Sequence, residues 1–419
     1  MIIFGWLMFG GIAVWSVPAL AWFLMRELKP LSAVKLTDSG LADQSHDAAQ
    51  SSILPPVVSG FVSIIVPACN EEAGIQAALT SVLKTEGIDF QVIAVNDRST
   101  DNTGQLMNQV AAVDNRCAVI HVEELPEGWL GKNHAMHVAA EQACSSTTAA
   151  NTPTDQHYLL FTDGDVVYEP DAVAAAVHEM QTRQLQHLCL LPRMLPGSMI
   201  ENSVVAFFGL TVAIGQQVHL MPTTWPFSYA GVGAFNMVTS AMYQKFDGHK
   251  RIAMDVLDDI KLGKIVRQHS GKQDLLTAPK LLSLRWYDNL KEVITGLEKN
   301  GFAALNYSGF RLAAVTVVFI TTMMAPYGLA ALLKGPAAVP YWATLCLWQT
   351  MFAAVTWKFC RASNQSVVKT VVTSLLFPVA AVLMAFAFYR SAWKTWSRGG
   401  VQWRTTFYDL QTLKRNIYQ

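Results

Sequence analysis

Short apolar runs alternate with amphipathic stretches along the central part of the chain, from residue 61 to about residue 190. Residues 75–84 show the helical pattern, because apolar side chains recur at positions 75, 78, 79, 82 and 83. Strand and helix in alternation predict an α/β domain whose mostly parallel sheet is covered on both faces. The predicted strands are 62–67, 91–96, 118–122, 158–162 and 188–192, and the further predicted helices are 105–113, 133–143 and 171–180.

Long stretches without charged residues lie at both ends of this domain. The first, residues 2–25, is long enough to cross a hydrocarbon core of roughly 30 Å. A signal peptide would be shorter and would begin with positive charge, whereas Arg26, Lys29 and Lys35 follow this stretch. The positive-inside rule therefore predicts an anchor whose following domain is cytoplasmic. Three late stretches of spanning length cover residues 312–333, 337–357 and 371–389.

The number of late crossings stays open at this point. Four crossings in all would place the C-terminus outside, yet the tail carries Arg or Lys at positions 390, 394, 398, 404, 414 and 415. Either the rule is broken here, or one late segment dips into the bilayer without crossing it, and Pro326 and Pro378 interrupt two of them. Residues 202–222 are apolar over a shorter length, which favours a buried or interfacial helix.

Composition supports a membrane protein with one globular domain. Hydrophobic residues make up 52% of the chain and charged residues 15%, and the formal net charge is zero, so we expect no nucleic-acid partner. The six cysteines form no C-x-x-C pair, which favours a reducing compartment over a disulfide framework or structural zinc. The predicted parts are an anchor (1–26), a flexible linker (27–60), the α/β domain (61–300), membrane helices (301–390) and a basic, aromatic interfacial tail (391–419).

Polar residues follow three of the predicted strands, at the edge where an open parallel sheet binds ligands. Asn70 and Glu71 follow the first strand, Asp97 follows the second, and Asp163-Gly-Asp165 follows the fourth. Asp97 is either an acceptor for a nucleoside group or a helix cap. Asp163 and Asp165 can hold a hard divalent cation together with pyrophosphate oxygens, and a structural turn is the alternative.

Three further charged residues complete the candidate site. Lys132 lies where a predicted helix begins, so it is a candidate contact for a diphosphate, with a merely solvated lysine as the alternative. Asp258 and Asp259 open a later helix. A reaction in which a hydroxyl group attacks carbon needs a base. We favour Asp259 as that base and Asp258 as the fallback, and helix capping is the alternative for both.

In their order and spacing, P-x-x-N-E, N-D-x-S-x-D, D-x-D and the late acidic pair resemble family 2 glycosyltransferases, which have the GT-A fold. The resemblance covers residues 62 to about 301 and the membrane-associated C-terminal part. It implies a nucleotide-sugar donor, which we expect to be a UDP-sugar, and Mg²⁺ or Mn²⁺ at Asp163 and Asp165. It places the base at the second position of the acidic pair, which is usually Glu-Asp and here is Asp258-Asp259. The residues that it implies for nucleotide binding are Pro67, Asn70, Glu71 and Asp97.

Within that family, the chain looks closest to bacterial membrane enzymes of hopanoid biosynthesis and of carotenoid (diaponeurosporenoate) glycosylation. This finer resemblance implies a lipid-like acceptor and a multi-pass protein of the cell membrane with a cytoplasmic catalytic domain. Thr405-Thr406 departs from the usual Gly-Arg. The matching segments are Gly128-Trp129-Leu130-Gly131-Lys132, Gly248-His249, Arg285-Trp286-Tyr287, Lys299-Asn300 and Gly400-Val401-Gln402-Trp403-Arg404.

Two alternatives remain. One is a processive polysaccharide synthase, but such enzymes show Q-x-x-R-W, and here Leu282 stands where Gln belongs. That departure disfavours polymer synthesis and leaves Arg285 as a diphosphate or acceptor contact. The other alternative is a non-catalytic membrane scaffold that kept the fold, which the intact Asp163, Asp165 and Asp259 disfavour.

Overall fold

The structure, a computed structural model, describes residues 1–31, 58–146, 151–403 and 406–418. Most of the predicted linker, and the Thr405 at which the tail departs from the family pattern, therefore lie outside the described residues. The described start of that predicted linker is fixed to the α/β domain, because the Leu28 amide donates to the Thr277 carbonyl at 2.8 Å.

Eight strands form one mixed sheet, in the order β3-β2-β1-β4-β7-β6-β8-β5. Strands β3, β2, β1 and β4 are parallel, β6 and β8 are parallel, and β5 and β7 run antiparallel to their neighbours. The prediction of an α/β fold with a mostly parallel sheet is confirmed. The strands are β1 (Phe61–Ala68), β2 (Asp89–Asp97), β3 (Cys117–Val122), β4 (His157–Phe161), β5 (Val167–Tyr168), β6 (His187–Met194), β7 (Asn236–Thr239) and β8 (Gln273–Leu284).

Helices cover both faces of the sheet. Strand β1 is buried along its whole length, because helices lie on either side of it and its side chains enter two separate cores. The helices of this α/β domain are α1 (Ile2–Met25), α2 (Ile75–Val82), α3 (Thr103–Val113), α4 (Gly131–Ser145), α5 (Ala172–Arg183), α6 (Met199–Gly215), α7 (Ser240–Lys245), α8 (Asp258–Gln268) and α9 (Leu290–Ala304), counting the N-terminal α1 that docks on it.

The late apolar helices share a core with α1 and α6. Helix α6 crosses this bundle, and its Phe207 ring lies 6.5 Å from Phe352 and 5.9 Å from Phe377. Side chains of β6 and β8 join the same cluster, so the apolar helices are continuous with the α/β domain. The late helices are α10 (Gly309–Phe319), α11 (Ala325–Leu332), α12 (Val339–Ala362), α13 (Val367–Leu375) and α14 (Phe377–Arg398).

Within the described residues, two helical segments are long and apolar enough to cross a membrane. They are Ile2–Met25 and Gly309–Leu332, the latter formed by α10, a π-helical turn and α11. Helix α12, which contains the predicted stretch 337–357, is not one of the two, so that prediction of a span is not supported. Helices α13 and α14 meet at a 57° bend and would count as one further span if taken together. The bend lies beside Pro378, where the sequence flagged an interruption, because proline is accepted in the first turn of a new helix and not in the middle of one.

The C-terminal tail returns to the α/β domain. Helix α14 continues to Arg398, eight positions beyond the predicted end at residue 390, and stops where Gly399 adopts a left-handed φ of 70°. Strands β9 (Gly400–Trp403) and β10 (Thr406–Asp409) then pair antiparallel and lead into α15 (Leu410–Asn416). The structure places this segment on the α/β domain, where it buries apolar side chains such as Leu413.

Candidate active site

The loops after β1 and β2 are held together by hydrogen bonds at the carboxyl edge of the sheet. The Asn70 amide donates to Ser99 Oγ at 3.1 Å, and Asn70 Oδ1 accepts from the Thr100 amide at 2.8 Å. The Glu71 amide donates to Thr103 Oγ1 at 2.8 Å. The sequence thus brings the two predicted nucleotide-binding loops together, as parallel neighbouring strands require. Pro67 lies one residue inside the end of β1 and is buried.

Asp97 ends β2 with its carboxylate already paired. Arg98 donates from Nε to Asp97 Oδ1 at 2.7 Å and from Nη2 to Oδ2 at 3.2 Å. The first residue of α4, Gly131, lies against this pair, and a Cβ there would collide with Asp97 Oδ2. A glycine is therefore required for α4 to begin next to Asp97. From the sequence, Arg98 received no role, and Gly131 was named only as part of a segment that matches the family.

Lys132 joins two groups of carboxylates that are far apart in sequence. Its Nζ lies 2.7 Å from Asp163 Oδ1 and 3.7 Å from Asp258 Oδ2. Burial alone would lower the pKa of Lys132, but the charges of Asp163, Asp258 and Asp259 outweigh it and raise the pKa. The lysine stays cationic and offsets part of the negative charge of the cleft. The interpretation of Lys132 as a merely solvated side chain is therefore wrong, because it is ion-paired.

Asp163 and Asp165 lie at the same mouth of the cleft. Desolvation, and then the negative charges of Asp163 and Glu71, raise the pKa of Asp165 to about 7, although the residue as a whole is exposed. Among the described residues, no three His, Cys, Asp or Glu side chains are grouped as a ready-made metal site. Two carboxylates with an excess of negative charge nevertheless fit Mg²⁺ or Mn²⁺, which bind through one or two carboxylates together with substrate phosphates.

Asp258 and Asp259 open α8 on the other side of Lys132. The Asp258 side chain is 8% exposed, whereas Asp259 is half-buried. Burial raises the pKa of both carboxyl groups, and Lys132 opposes the shift. Asp259 Oδ1 accepts from the amide of Ile260 at 2.7 Å. A small cavity of about 10 Å³, room for about one water, lies between the two aspartates and Lys132.

Glycines and buried amides set the position of these carboxylates. A Cβ on Gly233 would lie 2.5 Å from Asp163 Oδ2, and one on Gly231 would collide with the backbone of Asp259. Asn236 Nδ2 donates to the Asp259 carbonyl at 3.3 Å. Buried Asn133, next to Lys132, donates to the carbonyls of residues 252, 253 and 255, which fixes α4 to the segment preceding α8. None of these four residues was singled out from the sequence, because each acts through contacts distant in the chain.

Arg285 is ion-paired away from the aspartates of the cleft. Its Nη2 lies 2.7 Å from Glu201 Oε2 and its Nη1 donates to the Leu195 carbonyl at 3.1 Å. Tyr287, two residues later, is closer to the cleft: burial, and then the charges of Asp163 and Asp165, raise its pKa to about 12. The proposed role of Arg285 at a diphosphate or acceptor thus stays a prediction.

Comparison with known proteins gives the family of the domain that carries this site. The model described as "Glycosyl transferase family 2" matches residues 63–193, which contain β1 to β6, Lys132 and the Asp163-Gly-Asp165 segment. The chain contains a family 2 glycosyltransferase domain. The family-level resemblance is thereby confirmed for this segment, and the finer resemblance to hopanoid and carotenoid enzymes stays a prediction.

Two curated relatives align with part of the chain. The glycosyltransferase GlyG of Streptococcus pneumoniae serotype 4 is 23% identical over 126 residues, 30% of this chain and 37% of that protein. The putative teichuronic acid biosynthesis glycosyltransferase TuaG of Bacillus subtilis is 26% identical over 123 residues, 29% of this chain and 43% of that protein. The chain spans less than half the length of these relatives.

Among solved structures, the mannosyltransferase PcManGT of Pyrobaculum calidifontis, in complex with GDP-Man and Mn²⁺, covers 90% of this chain and 95% of its own, with 16% identity and a TM-score of 0.46. The TarS structure of S. aureus in complex with UDP-GlcNAc covers 83% of this chain and 99% of its own, with 14% identity and a TM-score of 0.35.

Proposed function

We propose that this protein is a membrane-bound inverting glycosyltransferase that moves a sugar from a nucleotide-diphosphate donor, a UDP-sugar, to a lipid acceptor. Residues 61–300 form its catalytic domain. The observation that carries the proposal is the position of Lys132 between Asp163 and Asp258. The ammonium group of Lys132 links the residues expected at the departing diphosphate with the acidic pair expected to activate the acceptor.

On the donor side, the nucleotide would lie along the loops that follow β1 and β2, beside Asp97. Asp163 and Asp165 would hold Mg²⁺ or Mn²⁺, which when bound neutralises the charge of the diphosphate. Lys132 acts on the same charge from the start of α4, because its ammonium group already lies 2.7 Å from Asp163 and needs no movement to reach this part of the cleft. The chain itself therefore supplies the positive charge that a departing diphosphate requires.

On the acceptor side, Asp259 takes the hydroxyl proton as the acceptor oxygen attacks the sugar. Asp259 is half-buried and has one carboxylate oxygen bound to the Ile260 amide, whereas Asp258 is buried and ion-paired with Lys132. A raised pKa makes a carboxylate a stronger base at neutral pH. These differences favour Asp259 as the base and give Asp258 the role of holding Lys132.

The segment that connects α6 to the site supports a lipid acceptor, because it runs from the apolar helices to the cleft. Helix α6 packs among the apolar helices, and Gln217, just after it, donates to the Trp15 carbonyl of α1 at 3.3 Å. The following loop exposes 45% of Trp225 and 70% of Phe227 before it reaches Gly231, beside Asp259. Aromatic side chains of this kind favour the depth of lipid headgroups. An apolar acceptor would thus approach the cleft along a path that leads from the membrane.

For its location, we propose the cell membrane, with several segments inserted and the catalytic domain in the cytoplasm. Arg26, at the end of α1, lies 3.0 Å from the buried Asp274 of the α/β domain, so the domain begins directly at the positive flank of the first candidate span. Nucleotide-sugars are cytoplasmic, which agrees with this orientation.

The decisive experiment uses the full-length protein purified in detergent, with a panel of UDP- and GDP-sugars and a membrane lipid extract. We expect release of nucleoside diphosphate that depends on the extract, and a lipid whose mass is increased by one sugar. A polymeric product would identify a processive synthase instead. If no donor is consumed, with or without acceptor, the protein is a scaffold and the proposal is wrong.

A further inference from the structure

The aromatic loop, residues 216–228, is tied at three points to the helix that carries the proposed base. Arg267, near the end of α8, is buried and its guanidinium group donates to three carbonyls of the loop. It donates from Nε to the Ser228 carbonyl at 2.9 Å, and from Nη1 and Nη2 to the carbonyls of Thr223 and Met221 at 2.6 Å each. The position of the loop is therefore coupled to the position of α8.

Further backbone groups of the aromatic loop are satisfied inside the protein or are missing. Ser228 Oγ lies 2.9 Å from the carbonyl oxygens of both Gln216 and Gln217, which share its hydroxyl proton. Pro222 and Pro226 have no backbone N–H that needs a partner. Lipid offers few hydrogen-bond partners, so a loop that contacts lipid needs its backbone groups satisfied in this way.

Two aromatic rings are exposed at the tip of the aromatic loop. Trp225 and Phe227 contact each other edge to face, with ring centroids 5.8 Å apart. The bond from Gln217 to the Trp15 carbonyl brings a third exposed aromatic residue, on the candidate span α1, next to the loop. The loop contains no Asp, Glu, Lys or Arg. An exposed apolar patch of this kind marks an interaction site, and its continuity with a candidate span favours lipid as the partner.

The tip of the aromatic loop is also close to the proposed base. Phe227 lies four positions before Gly231, and four residues span at most about 14 Å. Gly231 touches the backbone of Asp259, because a Cβ there would lie 1.8 Å from the Asp259 carbonyl oxygen. About 14 Å is close to half of a hydrocarbon core of roughly 30 Å, which is the length of one lipid chain. One lipid molecule can therefore reach both the base and the aromatic rings.

We propose that Trp225 and Phe227 bind the apolar chain of the lipid acceptor while the acceptor hydroxyl group reaches Asp259. The aromatic loop is then an acceptor subsite at the membrane surface, and Arg267 is the positioning residue that fixes it relative to the base. The subsite lies beyond residue 193, outside the segment that matches the family. This inference rests on the proposed function for the class of acceptor and adds the residues that recognise it.

The first test asks whether the loop touches lipid. The photoreactive analogue benzoylphenylalanine is incorporated in place of Phe227 in the full-length protein, and native membranes are irradiated. We expect lipid to become attached at this position. The same analogue in place of Val113 is the control, because Val113 is exposed beside β3, at the edge of the sheet away from β6 and β8, on which the apolar helices pack. No lipid should attach there.

The second test measures transfer by the protein in detergent with increasing amounts of the membrane lipid extract. We expect Trp225→Ala and Phe227→Ala each to raise the apparent KM for the extract about 10-fold, the effect of one apolar side chain that is buried on binding. The KM for the donor and kcat should stay nearly unchanged, a split that general loosening of the fold would not produce. Trp342→Ala removes an equally exposed ring at the start of α12, near Met1, and should behave like the wild type.

Three results would overturn the inference. They are the absence of lipid at position 227, a wild-type KM for the extract in both loop variants, and an equal rise in that KM for Trp342→Ala. Any of these, with normal transfer to lipid by the wild type, leaves the proposed function intact. If the wild type consumes the donor without transferring sugar to a lipid, the proposed acceptor class fails first, and the inference falls with it.

Discussion

Lys132 and Asp163 form an ion pair with an Nζ–Oδ1 distance of 2.7 Å, and the same ammonium group lies 3.7 Å from Asp258. The pair joins the first residues of α4 to the loop that follows β4, and through Asp258 it reaches the start of α8. Lys132 and Asp163 lie within the segment that matches the family, residues 63–193, whereas Asp258 lies beyond it. The first prediction follows from this relationship.

Replacing Lys132 by Gln removes the charge and keeps much of the side-chain length. We expect transfer to fall roughly 10²-fold, because the carboxylates of the cleft then repel each other and the departing diphosphate loses a cation. The exposed Lys84, at the end of α2, supplies the control Lys84→Gln, which should keep wild-type activity. Unchanged transfer by Lys132→Gln, at unchanged melting temperature, would contradict the assigned role.

The second prediction concerns the metal. We expect the purified enzyme to need Mg²⁺ or Mn²⁺, and Asp165→Ala to lose nearly all transfer, because one of the two proposed carboxylate ligands is gone. Loss of the free Mn²⁺ signal in electron paramagnetic resonance reports binding directly. Asp155→Asn changes an exposed aspartate at the opposite edge of the sheet and should bind Mn²⁺ normally. Full activity of Asp165→Ala in excess chelator would show that the site holds no essential metal.

The third prediction separates the two aspartates of α8. Asp259→Asn keeps the shape but removes the proton acceptor, so turnover should drop about 10²–10⁴-fold while donor binding survives. Asp258→Asn leaves Lys132 with one partner fewer and should weaken donor binding as well as turnover. Steady-state kinetics combined with calorimetry distinguish the two patterns. If Asp258→Asn stops turnover with donor binding intact and Asp259→Asn is active, the base is Asp258.

The fourth prediction concerns stability in acid. His157 in β4 is buried, with Nε2 2.9 Å from Ser63 Oγ, and burial lowers its pKa to about 4. An unfolded histidine titrates near 6.5, so between these values the unfolded state binds more protons and stability falls as the pH falls. The shift corresponds to roughly 3 kcal/mol lost by pH 4. His157→Gln should show a shallower fall in melting temperature between pH 7 and pH 5 than the wild type or the exposed-site control His121→Gln. Parallel curves for all three proteins would contradict this account.

Much of the α/β domain was predictable because its signals are local. The runs predicted for β1, β2 and β4, residues 62–67, 91–96 and 158–162, are mostly apolar and contain no charged residue. The polar residues that follow them are expected from the topology of parallel strands. Strand β8 was missed for the opposite reason. Its Asp274 suggests an exposed position, yet its side chain is fully buried because Arg26 and Arg183 neutralise it.

The residues of the candidate site also fall into those with a local sequence signal and those without one. Asp97, Asp163, Asp165 and the α8 pair are visible in sequence because each stands at the end of a strand or the start of a helix. The hydrogen bonds from Asn133 to the segment before α8, by contrast, join positions more than a hundred residues apart. No periodicity or motif encodes such a contact, so only the folded chain reveals it.

The last prediction concerns membrane topology. The tail and the catalytic domain must lie on one side of the membrane, because Tyr418 and Leu413 pack directly on that domain. The connection between α11 and α12 lies at the other end of the bundle, near Met1, whose carbonyl accepts from Tyr341 at 3.1 Å. We expect α12 to return the chain to the side of the catalytic domain, although it is not among the two candidate spans, and α13 and α14 to enter and leave the bilayer on that side. This arrangement would keep the basic tail inside.

Single cysteines in a cysteine-free background test this arrangement in intact cells with a membrane-impermeant maleimide. We expect Lys334→Cys, in the connection between α11 and α12, to react, and Glu127→Cys, in the catalytic domain, to react only after lysis. Gln411→Cys, in α15, should behave like Glu127→Cys because the tail is bound to that domain. Labelling of position 411 in intact cells, with position 127 protected, would mean that α13 and α14 together cross the bilayer and that the tail lies outside.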